Sequence, residues 1–412
     1  MADKQIDKYL PKLRFPEFKD EGEWQVMRLG DVVRCFSGGT PSATNKDYYG
    51  GDIPFIRSGE LHSSKTELYL TRAGLENSSA KMVQKGTILY ALYGATSGDV
   101  GIARVSGAIN QAILAIIPNV IIDKMYLYQY LSYSKDFIIN RFLQGGQGNL
   151  SASIITSLSI PLPTIQEQKK IASCLSSLDE CIASSKTKLE QLQAHKKGLM
   201  QKLFPAPGKS LPEYRFPEFI NDISWDSKTL GDVTRIVNKR NKSNRSLPIY
   251  SINNKRGFVM QSEQFAGIES KSRGYDTSAY KIVTSNLFAY NPARINVGSI
   301  GYSGSIKEGL ISSLYVCFKT TNSVDDGFLK CFMDSYPFQK AVENNVEGGI
   351  RSYLFYDNFS RIHISIPSIE EQRKVASAIA SFNQLEELYT KKLSMLEKQK
   401  KGLVQVLFPN NR

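Results

Sequence analysis

Pro163-Thr-Ile-Gln-Glu-Gln168 opens a run in which Ile171, Leu175, Leu178, Ile182, Ser185, Leu189, Leu192, Lys196, Leu199 and Leu203 follow at alternating steps of four and three. Apolar residues at that spacing form one stripe along an α-helix, a heptad seam. Pro205 ends the run, because proline cannot continue a helix. The passage then recurs. Pro367-Ser-Ile-Glu-Glu-Gln372 opens a second run, with Val375, Ile379, Phe382, Glu386, Tyr389, Leu393, Leu396, Lys400, Leu403 and Leu407 at the same steps, and Pro409 ends it. Thr164 and Ser368 are N-cap candidates, each followed by Glu or Gln in the first turn. Each run predicts a helix of about 39 residues, roughly 58 Å long.

An amphipathic helix of that length must bury its stripe. The short connection after the first helix predicts that the two seams pack on each other, antiparallel, as a coiled coil. Lys196 and Lys400 interrupt the seams near their ends. We expect them to snorkel to water, with a role in fixing register as the alternative.

The repeat extends beyond the helices. Leu10-Pro-Lys-Leu-Arg-Phe-Pro-Glu-Phe18 returns as Leu211-Pro-Glu-Tyr-Arg-Phe-Pro-Glu-Phe219, and Trp24 with Leu29-Gly-Asp-Val32 returns as Trp225 with Leu230-Gly-Asp-Val233. Between these landmarks lie two unlike blocks, 24–160 and 225–364, preceded by a partly ordered lead-in over residues 1–23. Short apolar runs at 52–56, 87–90 and 112–117 read as strands, as do those at 247–252, 286–290 and 311–318. Residues 123–142 and 328–342 read as helices. Each block ends in a glycine pair and an apolar strand, at Ile154-Ile155 in the first and over 362–366 in the second. The fold class is mixed α/β (α+β), in pseudo-two-fold arrangement. The expected divisions are a first domain at 1–160, a helix at 161–204, a second domain at 205–364 and a helix at 365–412. Two or three domains suit a chain of 412 residues.

A net charge of +13 favours a polyanionic partner. Five scattered cysteines form no C-x-x-C pair and three histidines lie far apart, which argues against a disulfide frame and a metal site. With no apolar signal segment and no run long enough to span a bilayer, we expect a soluble cytoplasmic protein without membrane contact. No phosphate-binding G-x-x-x-x-G-K-[ST] or dinucleotide-binding G-x-G-x-x-G motif occurs. Tyr290-Asn-Pro-Ala293 lacks the second proline and aromatic residue of an amino-methyltransferase motif. We expect no enzymatic activity and no cofactor in this chain.

Reading a duplex takes Lys and Arg on phosphates, and Arg, Asn, Gln, Ser or Thr on base edges. The second block offers both in Lys239, Arg240, Asn241, Lys242, Asn244 and Arg245, then Asn253, Asn254, Lys255 and Arg256. Asn291, Arg294 and Asn296 form another such segment, and Arg351 with Tyr353 a third. The less basic first block offers Ser37, Gly38 and Thr40; Arg57 and Ser58; Tyr93, Thr96 and Ser97; Asn110 and Gln111; and Gln144, Gln147 and Asn149. Glutamine can bond adenine through two hydrogen bonds, which draws attention to Gln144 and Gln147. The bland reading of each segment is a solvated loop or turn.

These features together resemble the specificity subunit of Type I restriction–modification systems. The residues carrying the likeness are Gly38-Gly-Thr-Pro41, Ile53-Pro-Phe-Ile-Arg57, Gly94-Ala-Thr96, Asn110-Gln-Ala112, the two proline–Glu-Gln elements and the two helices ending Leu-Phe. The resemblance covers nearly the whole chain. It implies two target-recognition domains, each reading one half of a bipartite double-stranded DNA target, with the helices setting the spacing. It implies partners too: two modification subunits that bring S-adenosylmethionine and methylate adenine, and up to two restriction subunits (translocase and endonuclease) that use ATP and Mg. The unlike blocks predict an asymmetric target. A structural adaptor that organises partner proteins without reading sequence would explain the repeat and the seams. It would not explain basic, amide-rich loops in blocks that alone have diverged.

Overall fold

Each half of the chain builds the same three sheets. The computed structural model describes residues 9–143, 149–206, 208–222, 224–254, 256–264, 274, 276–345 and 353–409. The chain folds as two units, Met1–Lys186 with Lys391–Arg412, and Thr187–Thr390.

In the first unit the strands are β1 (Gln25–Arg28), β2 (Val33–Ser37), β3 (Tyr49–Ile56), β4 (Leu68–Leu70), β5 (Lys81–Val83), β6 (Ile88–Ala91), β7 (Val100–Ile102), β8 (Gly107–Ile109), β9 (Ile113–Pro118) and β10 (Ser159–Leu162). They assemble as β1-β10, β2-β9-β6-β7 and β4-β3-β8-β5. In the second unit they are β11 (Asp226–Thr229), β12 (Thr234–Ile236), β13 (Ile249–Asn253), β14 (Gly257–Met260), β15 (Lys281–Thr284), β16 (Phe288–Tyr290), β17 (Ile300–Tyr302), β18 (Glu308–Ile311), β19 (Val316–Thr320) and β20 (His363–Ile366). Their order is β11-β20, β12-β19-β16-β17 and β14-β13-β18-β15, so each strand of the first unit has its counterpart ten strands on. The pairing sense also repeats. β3 with β8 and β13 with β18 are parallel, and the other pairs are antiparallel.

Three local expectations change. Residues 311–318 form two strands, not one, because Tyr315 N–H donates to the Ser312 carbonyl and turns the chain between β18 and β19. The helical stretches are each broken in two, into Lys124–Tyr133 and Lys135–Phe142, and into Asp326–Met333 and Tyr336–Asn345. Asp123 and Asp325 cap the first member of each pair by accepting backbone N–H bonds. Ile154 and Ile155 lie in a short helix, Ala152–Thr156, whose N-terminus is capped by the Ser151 hydroxyl. The strand expected there is β10, a few residues later. The lead-in is ordered from Tyr9 and includes a 3-10 turn at Pro16–Phe18.

The long helices run Ile165–Leu203 and Ile369–Leu407, 39 residues each. Thr164 and Ser368 cap them, their hydroxyls accepting from Glu167 N–H and Glu371 N–H. Seam positions are buried or half-buried along both helices, among mostly exposed neighbours. In the first unit Ile171 and Leu175 share a core with Val404, Leu407 and Phe408. In the second, Met200, Leu203 and Phe204 share one with Val375 and Ile379. In both, the start of one helix meets the end of the other, so the pairing within each unit is antiparallel. Phe408 packs on Tyr126, Tyr130 and Tyr133, and Phe204 on Phe328 and Phe332. Full burial of one such phenylalanine stabilises by about 1.5–3 kcal/mol.

The seam lysines do not snorkel. Lys196 Nζ donates to Asn383 Oδ1 at 2.7 Å and Glu386 Oε2 at 2.8 Å. Lys400 Nζ donates to Asp179 Oδ1 at 2.5 Å, and Gln129 donates to the other oxygen of that carboxylate. A half-buried ammonium on a seam is costly unless the facing helix supplies oxygens, so these contacts favour one register.

The repeated Glu-Gln also has a structural job. Arg14 donates through Nε and Nη2 to the fully buried Glu167 carboxylate at 2.8 and 2.7 Å. Arg215 does the same to Glu371 at 2.8 and 2.7 Å. These two-pronged bonds are the strong class of charged hydrogen bond. Gln168 accepts from Asp123 N–H and donates to the Ile121 and Pro163 carbonyls. Gln372 accepts from Asp325 N–H and donates to the Ser323 and Pro367 carbonyls. The element therefore fastens the lead-in and the capped Asp helix to the start of the long helix, once per unit.

Candidate nucleic-acid interface

In the first unit, strand ends bring the candidate residues together. β2 ends at Ser37 opposite Leu114, and β6 ends at Ala91 opposite Ile113. β3 ends at Ile56 opposite Ile109, the last residue of β8. The segments following those ends therefore share one edge of the two sheets: Ser37–Thr40, Arg57-Ser58, Tyr93–Ser97 and Asn110-Gln111. Leu150 N–H donates to the Leu92 carbonyl and brings Asn149 to the same place.

The backbone there is tightly held. A Cβ on Gly38 would stand 1.8 Å from the Ile109 carbonyl oxygen, and one on Gly39 would stand 2.5 Å from Ser79 Cβ. Only glycine allows this approach. Asn110 accepts from Ala112 N–H, Ser97 donates to the Leu92 carbonyl, and Leu92 N–H donates to the Ala112 carbonyl. The side chains that remain outward are neutral: Thr40 Oγ1 donates to Gln111 Oε1 at 2.5 Å. Arg57 is already committed, because Glu60 and Glu67 both pair with it and hold its guanidinium still more firmly protonated. Gln144 and Gln147 lie outside the described residues.

The second unit places a different chemistry on the same frame. After β12, Val237 N–H donates to Cys317 O, Ile282 N–H to Lys239 O and Asn241 N–H to Tyr280 O, so residues 237–241 run along β19 and β15. Lys239, Arg240 and Lys242 are exposed on this run. No carboxylate pairs with Lys239, Arg240, Lys242, Arg256 or Arg294 among the described residues. The field is felt nearby. Burial pushes the Lys281 ammonium below its usual range, and the charge of Arg240 adds to the fall.

Not every candidate here is outward. Asn241 is fully buried, and its amide closes the loop by donating to Arg245 O and accepting from Arg245 N–H. Asn244 turns the loop at φ +47° and accepts from the Thr277 hydroxyl. Arg245 is held by Glu308 through two bonds of 3.0 Å. Asn253 takes Arg256 N–H at the end of β13, and Asn291 takes Ala293 N–H after β16. Asn254, Arg256 and Asn296 line one cleft of about 670 Å³. Leu354 N–H donates to Pro292 O, so Tyr353, stacked on Phe355, sits beside the 291–296 loop. Lys255 and Arg351 lie outside the described residues.

No metal-binding cluster occurs among the described residues, and burial pushes the Cys317 thiol up to about 11 and the Cys331 thiol up to about 12. Thiols so raised are poor nucleophiles. Sequence reasoning did not foresee the carboxylates that occupy Arg57 and Arg245. It also passed over Arg14 and Arg215, although both stand in the repeated Arg-Phe-Pro-Glu-Phe, a signal that could have found them.

Residues 21–194 match the family model described as the Type I restriction modification DNA specificity domain. Over those residues the chain is similar to that specificity domain. It is 24% identical over 417 residues to the Type I restriction enzyme MjaVIII specificity subunit of Methanocaldococcus jannaschii, covering 96% of this chain and 93% of that protein. The MjaIX specificity subunit of the same organism is 27% identical, covering 84% of this chain and 83% of that protein. The EcoR124I/EcoR124II specificity subunit of Escherichia coli is 28% identical over 43% of this chain and 46% of that protein. In fold, the chain is similar to the crystal structure of the Type I restriction–modification S subunit from M. genitalium, at a TM-score of 0.66 and 18% identity, covering 98% of this chain and all of that one.

Proposed function

We propose that this specificity subunit recognises a DNA sequence for a Type I restriction–modification complex and performs no catalysis itself. Each unit presents one reader, and each reader contacts one half of a bipartite, asymmetric target. The long helices set the unread spacing and dock two modification subunits, which carry S-adenosylmethionine. Restriction subunits, with ATP and Mg, join on that assembly.

The observation that carries this reading is the identical strand order of the two units beneath dissimilar strand-end segments. A repeated frame with neutral polar side chains on one copy and exposed cations with amides on the other is what two different base-reading surfaces require.

The test is to map methylated adenines in DNA from cells carrying the system. Two unlike half-sequences at a constant separation are expected. A palindromic target would refute the asymmetry. Removing one heptad from each long helix is expected to change that separation or abolish assembly, and a variant that keeps its original spacing would refute the spacing role.

A further inference from the structure

The second reader holds an aromatic pair where the first holds small polar groups. Leu150 N–H donates to Leu92 O after β6, and Leu354 N–H donates to Pro292 O after β16, so the two leucines occupy equivalent places on the frame. Asn149 and Ser151 flank the first leucine, Tyr353 and Phe355 the second. Ser151 caps the helix Ala152–Thr156 through its hydroxyl. Phe355 stands at the N-cap of the matching helix, Tyr356–Ser360, and its side chain makes no capping bond. Ser, Thr, Asp and Asn are the residues that stabilise such a position.

Phe355 breaks that local preference without joining the core. It is 54% exposed, and among the described residues it is the one exposed phenylalanine. Its support is rigid. Leu354 and Phe359 on either side are fully buried, and the Tyr356 hydroxyl lies 3.0 Å from Thr234 Oγ1. Tyr353 stacks on the ring, with centroids 5.7 Å apart and planes 3° from parallel. A residue that departs from local preference with no compensating gain in the fold marks a functional position.

Its surroundings say what it meets. β12 ends at Ile236 opposite Phe318, and β16 ends at Tyr290 opposite Val316, so both strands leave the same end of β19. The exposed cations Lys239, Arg240 and Lys242 follow the first of these strands, and Arg294 follows the second. Leu354 is bonded into the Arg294 loop, which puts the aromatic pair on this cationic edge. Cations there suit phosphates, for which an aromatic ring has no use. The apolar group that a paired base displays in the major groove is the C5-methyl of thymine.

We propose that Phe355 makes an apolar contact with a thymine methyl group in the second half-target, with Tyr353 as a positioning residue behind its ring. This rests on the proposed role in DNA recognition and names one contact that recognition would use. A ring already held in place loses little entropy on binding.

The test uses the full chain assembled with its modification subunit. Selection from a randomised duplex library first gives the target, and each thymine in it is then replaced singly by deoxyuridine, which lacks only the methyl group. Wild type is expected to lose about three- to tenfold in affinity at one position of one half-target. Phe355→Ser should lose the same factor on the thymine duplex and become indifferent to deoxyuridine at that position. Its unfolding temperature should be no lower than that of wild type, because serine restores the cap. Phe355→Leu, still apolar, should keep part of the methyl preference, and Tyr353→Ala should reduce it by a smaller factor. The proposal falls if Phe355→Ser binds every duplex as wild type does, or if it loses affinity while wild type ignores deoxyuridine at every position. It falls also if folded Phe355→Ser no longer assembles with the modification subunit, which would make the aromatic pair a protein-docking surface. A wild-type complex that enriches no sequence would remove the recognition role itself, a result distinct from a selective complex indifferent to Phe355.

Discussion

The two readers share a frame and differ in how they carry charge. In the first, Thr40, Tyr93 and Gln111 are neutral, and the nearby Arg57 is held by two glutamates. In the second, Lys239, Arg240 and Lys242 stand exposed on one run beside β15, and among the described residues only Arg245 of that loop is paired with a carboxylate. The strand order is the same in both. The difference teaches that the sheets specify where the strand-end loops stand, while the loops specify whether cations or neutral polar groups are presented there.

The frame itself provides the sharpest way to break this comparison. Glu167→Ala and Glu371→Ala each leave a poorly exposed arginine without its carboxylate. Both are expected to cost about 3–5 kcal/mol, as removal of one partner of a buried pair does. Denaturant unfolding of the two variants checks this. Similar losses support one frame used twice, and a loss confined to one variant would show that the two copies are held differently.

The readers should then separate by salt. Replacing Lys239, Arg240 and Lys242 together with Gln is expected to flatten the slope of log affinity against log salt by about 3, near 0.9 for each phosphate no longer neutralised. Thr40→Val should leave that slope unchanged. Equal slopes for the triple variant and wild type would remove the charge distinction between the readers.

Within the second reader, Arg240→Gln should weaken DNA binding several-fold more than Arg245→Gln, because Arg245 already spends its charge on Glu308. Titrations of both single variants at two salt concentrations decide this, and equal losses would mean that DNA displaces Glu308.

The smallest effect concerns pH. Hydrogen bonds from Arg245 hold the Glu308 carboxyl below its ordinary range. A group with a depressed folded value contributes its pairing above the ordinary carboxylate range and loses it as pH falls through the depressed value. Glu308→Gln should therefore free Arg245 at neutral pH and tighten DNA binding slightly, about twofold at low salt. Unchanged or weaker binding would show that Arg245 plays no part in the basic surface.

Much of this was legible in the residues. The four-three steps from Ile171 to Leu203 and from Val375 to Leu407 specify two long helices, because only one helical face collects them. The duplication from Arg-Phe-Pro-Glu-Phe to Leu-Phe-Pro specifies two copies of one frame. The break at Ser312–Tyr315 was hidden, since an apolar run reads the same whether or not it turns. The helix over Ile154-Ile155 was hidden too, since a few apolar residues carry no period.

What the chain alone determined is local and periodic: helix length, seam, repeat, excess positive charge and the residue types available for reading DNA. What only the tertiary structure decided is partnership. Whether Lys196 meets water or Glu386, whether Arg57 is free or held, and whether Thr40 and Gln111 meet at all depend on residues up to 190 positions apart. Spacing along the chain sets which face a side chain occupies. The closure of sheets and helices sets what it faces, and a polar group's chemistry depends on that neighbour.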